Sequence, residues 1–297
     1  MKFVSFGEII WDIYGKERKI GGAPLNISAH ASLYGFESYL ISAVGEDELG
    51  KEALSIIKDF GINTKYIASL STLSTGRCIV SLNEKGIPTY DISKNVAYDR
   101  ICATEKLCGF DVLCIGTLAL RESYNLNSLE KIIVDGEFSE IYADLNIRPP
   151  YYSKKSVCFC LKNASIVKIS DEELPTVLEL LSIEYNSIDE ATHAISKLYP
   201  KIKLIIITLG DKGSFCLDTA TNNTYYSEAV KTKTVSTVGA GDSFGAAFLA
   251  SYLKNPDIPE ALNAAAHVSA YVVSSIEAIP LGSREVFERI KHYKLIP

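Results

Sequence analysis

Val235-Ser236-Thr237-Val238-Gly239-Ala240-Gly241-Asp242-Ser243-Phe244 is the stretch on which the reading of this sequence turns. Two glycines and an alanine precede a run, 242–254, rich in helix formers, with apolar residues at Phe244, Ala247, Phe248 and Tyr252. A glycine-rich turn that opens a helix leaves backbone N–H groups without intrahelical partners, at the positive end of the helix dipole. With no side chains in the way, a phosphate can approach those amides. Asp242 stands out there, because a carboxylate repels an anion. It is either a helix-terminal aspartate that favours the dipole, by about 0.3–1 kcal/mol, or a base. As a base it takes the proton from a hydroxyl that attacks phosphorus held by the amides. The motif alone leaves both readings open.

Outward from this turn the chain alternates between two periodicities. Short apolar runs at 3–6, 38–44, 112–115, 141–145, 166–169 and 204–209 read as buried strands. Segments of helical period lie between them at 25–34, 49–60, 127–138, 172–181 and 188–198, and two closing helices are expected at 259–275 and 284–293. Repeated strand, helix, strand predicts an α/β fold, its central sheet mostly parallel and covered by helices on both faces. Two segments break the rhythm. Residues 75–82 and 87–93, joined by Asn83-Glu84-Lys85-Gly86, predict an antiparallel hairpin, and the polar 13–20 predicts one strand beside it. Together, residues 13–20 and 75–93 would make a small β-sheet lid on a larger body. A second antiparallel pair, 213–218 and 225–230, is expected near the far edge of the main sheet. No linker or repeat divides the chain, so residues 1–297 read as a single domain carrying that lid.

Composition narrows the partners. Lys plus Arg is 30 against 36 Asp plus Glu, and no basic run reaches five residues, which argues against a nucleic-acid-binding face. No run of 18 apolar residues is present, so no membrane span is expected. The strand-like opening meets Glu8 and Asp12 at once and does not read as a signal peptide. The seven cysteines are an odd number without a C-x-x-C pair or a nearby histidine, so they read as reduced thiols of a cytoplasmic protein. An anionic ligand must then be held by backbone dipoles or a metal ion. A dinucleotide fold is not indicated, since Phe6-Gly7-Glu8-Ile9 offers a single glycine after the first strand.

Thr237 to Asp242 resembles the D-T-x-G-A-G-D signature of the ribokinase-like (PfkB) carbohydrate kinases, with Ser236 in place of the leading aspartate. Three further likenesses follow the family's order. Gly21-Gly22-Ala23-Pro24-Leu25-Asn26 resembles its substrate motif, and Val44-Gly45-Glu46-Asp47-Glu48-Leu49-Gly50 its G-x-D-x-x-G block. Ile207-Thr208-Leu209-Gly210-Asp211-Lys212-Gly213 resembles its nucleotide-binding strand end. The resemblance spans nearly the whole chain. It implies a ribokinase-like fold and a kinase that uses ATP and Mg2+ to phosphorylate a sugar hydroxyl. Asp242 would then be the catalytic base, with the amides of Gly239, Ala240 and Gly241 as the anion hole.

The resemblance also implies roles elsewhere. Asp12, expected at the end of the first strand, and Asn26 would take adjacent sugar hydroxyls, with Gly21 and Gly22 allowing close backbone approach. On their own, Asp12 and Asn26 read equally as a turn residue and a helix-terminus residue. Asp144-Leu145-Asn146-Ile147-Arg148-Pro149-Pro150 is similar to the D-x-N-x-R-P segment of fructokinases and related keto-sugar kinases. Arg148 would hold a substrate or phosphate oxygen, or else brace its loop by a salt bridge. Arg77, on the hairpin, faces either sugar or solvent. Lys168-Ile169-Ser170-Asp171-Glu172-Glu173 stands where the family has N-x-x-E. Glu173 would organise Mg2+ through water, or pair with Ser170 as a capping box, or both. Thr208, Gly210 and Ser170 would line the nucleotide path. Lys168 either contacts phosphate or lies on the surface. Members that bind K+ use the aspartate replaced here by Ser236 and a loop that here reads Glu277-Ala278-Ile279-Pro280, which leaves K+ dependence open. Fructose, at its 6-hydroxyl, is the substrate most in keeping with these motifs. Ribose and 2-keto-3-deoxygluconate are the rivals, with a non-catalytic binding or regulatory protein as the alternative outside the class. Apolar lid residues Ile79, Val80, Leu82 and Ile87 would offer a homodimer face.

Overall fold

The computed structural model describes residues 1–82, 88–102 and 105–292. The first part of the chain runs β1 (Lys2–Phe6), β2 (Ile10–Tyr14), β3 (Glu17–Gly21), α1 (Ala23–Leu33), β4 (Glu37–Gly45) and α2 (Glu48–Asp59). Short strands β5 (Ile62–Asn63) and β6 (Ile67–Leu70) precede β7 (Gly76–Leu82) and β8 (Pro88–Ile92). Next come β9 (Phe110–Ile115), α3 (Ser123–Asp135), β10 (Phe138–Asp144), α4 (Lys154–Asn163), β11 (Ile166–Ser170), α5 (Leu174–Leu181) and α6 (Ile188–Leu198). The chain continues through β12 (Leu204–Thr208), β13 (Ser214–Asp218), β14 (Asn223–Ser227), α7 (Ala240–Tyr252), α8 (Ile258–Val273) and α9 (Ser283–His292).

Each of the six apolar runs forms a strand of the main sheet, whose order is β14-β13-β12-β11-β10-β9-β1-β4-β5, with β6 also on β4. Pairing is parallel from β5 to β12 and antiparallel for β13 and β14 at the edge, as alternation with helices predicts. Side chains alternate between two layers. Val112, Cys114, Tyr142 and Ile166 point to the face covered by α1, α7 and α8, where Ile27, Phe244, Phe248 and Leu262 meet them. Leu113, Ile115, Ala143 and Val167 point to the other face, against Leu129, Val157, Val177 and Ile195 of α3 to α6. With both faces buried, these strands read as continuous apolar runs.

A smaller sheet, in the order β3-β2-β7-β8, stands beside the main one. The expected hairpin is β7 and β8, paired antiparallel; its turn, Asn83 to Gly86, and Ile87 lie outside the described residues, as does Tyr293. Residues 13–20 do not form one strand. They are the turn and inner ends of a β2–β3 hairpin, in register from Ile10↔Gly21 to Tyr14↔Glu17, because Gly15, with φ +61, turns the chain back. β2 then pairs in parallel with β7, Asp12 opposite Cys78. Asp12 therefore belongs to the small sheet and not to the end of β1. Ile79 and Val80 are successive residues of a strand and point to opposite sides, so they do not share one apolar face.

Helix α4 has no counterpart in the sequence reading. Its buried stripe is only Val157, Cys160 and Leu161 with Ser156, too short to register as a period, yet a parallel β10–β11 pair requires a crossover of this kind. Ser153 caps it, accepting from Ser156 N at 3.1 Å. The expected helix 127–138 begins earlier and gives up Phe138 to β10. Cys78, Cys108, Cys114, Cys158, Cys160 and Cys216 are free thiols. Among the described residues, no helix is long and apolar enough to cross a membrane.

Candidate active site

The chain leaves β1 for β4 on one side and resumes at β9 on the other. Strand order thus reverses between β1 and β9, and in open parallel sheets that point leaves a crevice beyond the carboxyl ends of the strands. Phe6 at the end of β1 and Glu8 after it, Gly116 and Thr117 after β9, and Asp144 at the end of β10 with Asn146 after it line the crevice, with Asp242 from α7. A cavity of about 20 Å3 lies at this point, room for one water molecule.

Two helices open into the crevice, α1 after Gly22 and α7 after Gly239, and neither preceding residue caps its helix with a side chain. Both glycines are required. Gly22 has φ +113 and a methyl group there would lie 2.4 Å from Glu8 O; Gly239 has φ +80 and a methyl group would lie 2.5 Å from Ala278 O. The Ala240 N–H turns back to Thr237 O at 3.3 Å and the Ser243 N–H to Gly239 O at 2.8 Å. No protein acceptor takes the N–H of Gly239, Gly241 or Asp242 among the described residues. These are open donors at a positive helix end.

Asp242 does not cap its helix. Its Oδ2 accepts from Asn26 Nδ2 at 2.8 Å, across 216 residues of sequence. Asn26 is only 5% exposed, and its Oδ1 has no partner. The Asp242 carboxyl is pushed up to about 6 by burial and by Asp144, with Asn26, Lys168 and Arg148 pulling the other way. Glu8, which the sequence reading passed over, is buried and pushed up to about 7 by burial, with the negative charge of Asp242 adding to the rise. Its signal was a lone carboxylate in the apolar run from Phe3 to Trp11.

Strand register explains the charges beneath. Asp144 and Lys168 are paired positions on parallel β10 and β11, on the face toward α7. Lys168 Nζ donates to both Asp144 oxygens, at 2.7 and 2.8 Å, and a methyl group on Gly241 would lie 3.3 Å from that nitrogen. Burial alone would lower the Lys168 ammonium; Asp144 and Glu173 outweigh it and hold the proton. The surface alternative for Lys168 is therefore excluded, and its ammonium lies behind the glycine turn, spent on Asp144.

The remaining expected residues divide. Arg148 is exposed, its positive charge acting on Glu8, Asp12, Asp144 and Asp242, and among the described residues it forms no ion pair. Asp12 lies in β2 beside the Cys78 thiol, and burial pushes its carboxyl up while Cys78 and Arg148 restrain it. A methyl group on Gly21 would lie 3.0 Å from Asp12 Oδ2. Arg77 is not brought to this group. As the neighbour of Cys78 in an extended strand, it points to the opposite side, level with Trp11, and its charge acts on Asp47 at the start of α2. Glu173 and Ser170 do form the reciprocal cap, Ser170 N to Glu173 Oε2 at 2.8 Å and Glu173 N to Ser170 Oγ at 3.2 Å. The other carboxylate oxygen accepts from Ile147 N at 2.5 Å and ties down the loop that carries Arg148. Thr208 is the register partner of Ser170, and Gly210 follows with open space around it.

Among the described residues, no three His, Cys, Asp or Glu side chains gather as a metal cluster. With both oxygens of Glu173 engaged, the donor set fits Mg2+ held through water and nucleotide phosphates, and not a carboxylate cage. At the position of the missing aspartate, Ser236 Oγ accepts from Val238 N at 3.3 Å, and Glu277 is exposed.

An open helix end that carries a buried carboxylate in its first turn, at a strand-order reversal, is the arrangement expected of a phosphotransfer enzyme of the α/β class. The family model described as pfkB family carbohydrate kinase matches residues 4–283, and the chain belongs to that family. It is a sugar kinase of ribokinase-like fold. Fructokinase-2 of Solanum lycopersicum is 28% identical over 281 residues, covering 86% of this chain and 83% of that protein. The fructokinase of Xylella fastidiosa solved with bound ATP superposes with a TM-score of 0.81, at 17% identity over 99% of both chains. The fructokinase of Vibrio cholerae O395 in its fructose, ADP and calcium ion bound form gives 0.79, at 21% identity over 97% of this chain and 99% of that one.

Proposed function

We propose that this chain transfers the γ-phosphoryl group of ATP to the 6-hydroxyl of fructose. The observation that carries the reading is the Asn26–Asp242 hydrogen bond. It joins the two glycine-opened helices and sets a carboxylate beside free backbone amides. Asp242 accepts the hydroxyl proton as the oxygen attacks phosphorus, and the amides of Gly239, Gly241 and Asp242 stabilise charge on the equatorial oxygens, while that of Ala240 is taken by Thr237 O. A carboxyl poised at about 6 is mostly ionised at neutral pH and still basic enough to take a proton. Asp12, Asn26 and the backbone of Gly21 and Gly22 bind sugar hydroxyls, and Arg148 holds an oxygen of the sugar or the phosphate. Arg77 is left out because it faces away. Ser170, Thr208 and Gly210 line the nucleotide path, with Lys168 supporting the glycine turn from behind. When bound, Mg2+ offsets phosphate charge, and Glu173 orients its water shell.

Fructose is favoured by the D-x-N-x-R-P-P segment and by the names of the relatives, such as the tomato protein at 28% identity. The chain is read as a single domain, with the small sheet as a lid that excludes water from the transfer. The free cysteines support a cytoplasmic, reducing setting. Coupled ADP release with fructose, ribose and 2-keto-3-deoxygluconate, each with and without K+, tests the reading. Fructose-dependent turnover is expected. Turnover with another sugar alone would move the substrate, and binding without turnover would make the chain a sugar-binding protein.

A further inference from the structure

His30 is completely buried on α1, one helical turn after Asn26 and on the same side of the helix. Its Nε2 lies 2.9 Å from Ala278 O and its Nδ1 3.1 Å from the Tyr34 hydroxyl. A carbonyl only accepts, so Nε2 carries the proton and Nδ1 accepts from Tyr34. Burial pushes the imidazole down to about 4, so it stays neutral and keeps that single N–H. Tyr34 in turn packs against Phe287 of α9, ring centres 4.6 Å apart. Ala278 O is also the atom against which Gly239 is fitted, 2.5 Å from where a methyl group would stand. Helix α1 therefore meets the opening of α7 twice. Asn26 holds Asp242 directly, and His30 holds the Ala278 carbonyl that packs closely on Gly239.

We propose that His30 is a positioning residue that fixes the Gly239–Asp242 turn relative to Asn26 by anchoring the Ala278 carbonyl. The helix that opens toward the sugar and the helix that opens toward the phosphate thereby keep one separation. This rests on the kinase reading above only for its kinetic consequence.

Three variants of the full chain test it: His30→Leu, His30→Gln and Tyr34→Phe. Amide exchange is followed residue by residue, with the Ser243 N–H as reporter because it bonds to Gly239 O. In His30→Leu this amide should exchange about 10-fold faster, the scale of one lost hydrogen bond, while amides of β9 and β12 stay unchanged. kcat should fall about 10-fold, with the sugar KM moving less than about 3-fold, since a displaced anion hole acts on the transition state. Glutamine can still donate to Ala278 O and should recover most of both effects. Tyr34→Phe, which frees the other ring nitrogen, should loosen Ser243 partially. Unchanged exchange at Ser243 in folded His30→Leu overturns the proposal, as does glutamine no better than leucine, or loosening spread evenly over the chain. If the leucine variant does not fold, an unchanged Ser243 in Tyr34→Phe overturns it. Wild-type protein that releases no ADP with any sugar refutes the kinase reading alone, because the exchange result does not depend on turnover.

Discussion

Replacing Asn26 by alanine removes the donor that lies 2.8 Å from Asp242 Oδ2, and the consequence is a displaced pH profile. Asp242 stands at about 6, with burial raising it and the Asn26 hydrogen bond lowering it. The acid limb of kcat/KM should therefore fall near pH 6 in the wild type, because that quantity reports the free enzyme's essential groups. A hydrogen bond to a charged group is worth about 1.5–3 kcal/mol. At about 1.4 kcal/mol per pH unit, its loss moves the limb to roughly pH 7–8. The ionised fraction of Asp242 at pH 7 then drops from about 90% to between about 50% and 10%. This part of the loss, about 2- to 10-fold, should vanish by pH 9. Any sugar contact that Asn26 also makes lowers kcat/KM equally at every pH, so the shape of the profile separates the two. The assay is coupled ADP release from pH 5 to 9 at subsaturating sugar. A limb that stays near pH 6 in Asn26→Ala would refute the coupling and remove Asp242 as the titrating base. Asp144→Asn should shift the limb the other way, since it deletes a negative neighbour.

Asp242→Asn should lower turnover about 10²–10⁴-fold while leaving ATP binding in place, which calorimetric titration with nucleotide checks. The same variant should be more heat-stable at pH 8. The native carboxyl holds its proton more tightly than the unfolded one, so the wild type loses stability as pH rises through about 6, and the variant's gain should disappear below about pH 4. Gly22→Ala puts a methyl group against Glu8 O and should raise the sugar KM well before it affects nucleotide binding. Lys168→Met leaves Asp144 buried and unpaired and should lower stability by about 3–5 kcal/mol in denaturant titration, whereas the double variant with Asp144→Leu should recover much of it. If the small sheet is a lid, amide exchange in β7 and β8 should slow when fructose and nucleotide are both present; no change would count against closure.

Much of the scaffold was legible because burial on both faces writes a strand as an unbroken apolar run, as at Leu204–Thr208. α4 was hidden because its lysine-rich sequence buries so short a stripe, and only the parallel pairing of its neighbours demands it. The β2–β3 hairpin was misread because its polar half carries no period, and its partner β7 lies more than 50 residues away. At the site, glycine identity was readable in advance: a left-handed φ at Gly22 and Gly239 admits little else. Which way a side chain faces was not. Arg77 and Cys78 are adjacent in sequence, and pairing with β2 alone decides that the thiol and not the guanidinium meets Asp12.

The amino-acid sequence by itself determined the alternating α/β scaffold and the open amides at residue 239, because both follow from local pattern and backbone freedom. Only the tertiary structure decided the charge states. Asp144 and Lys168 neutralise one another because two strands share a register, and Asp242 is held near 6 because α1 lays Asn26 against it. Electrostatic energy depends on distance and burial, and neither is defined until the chain has folded.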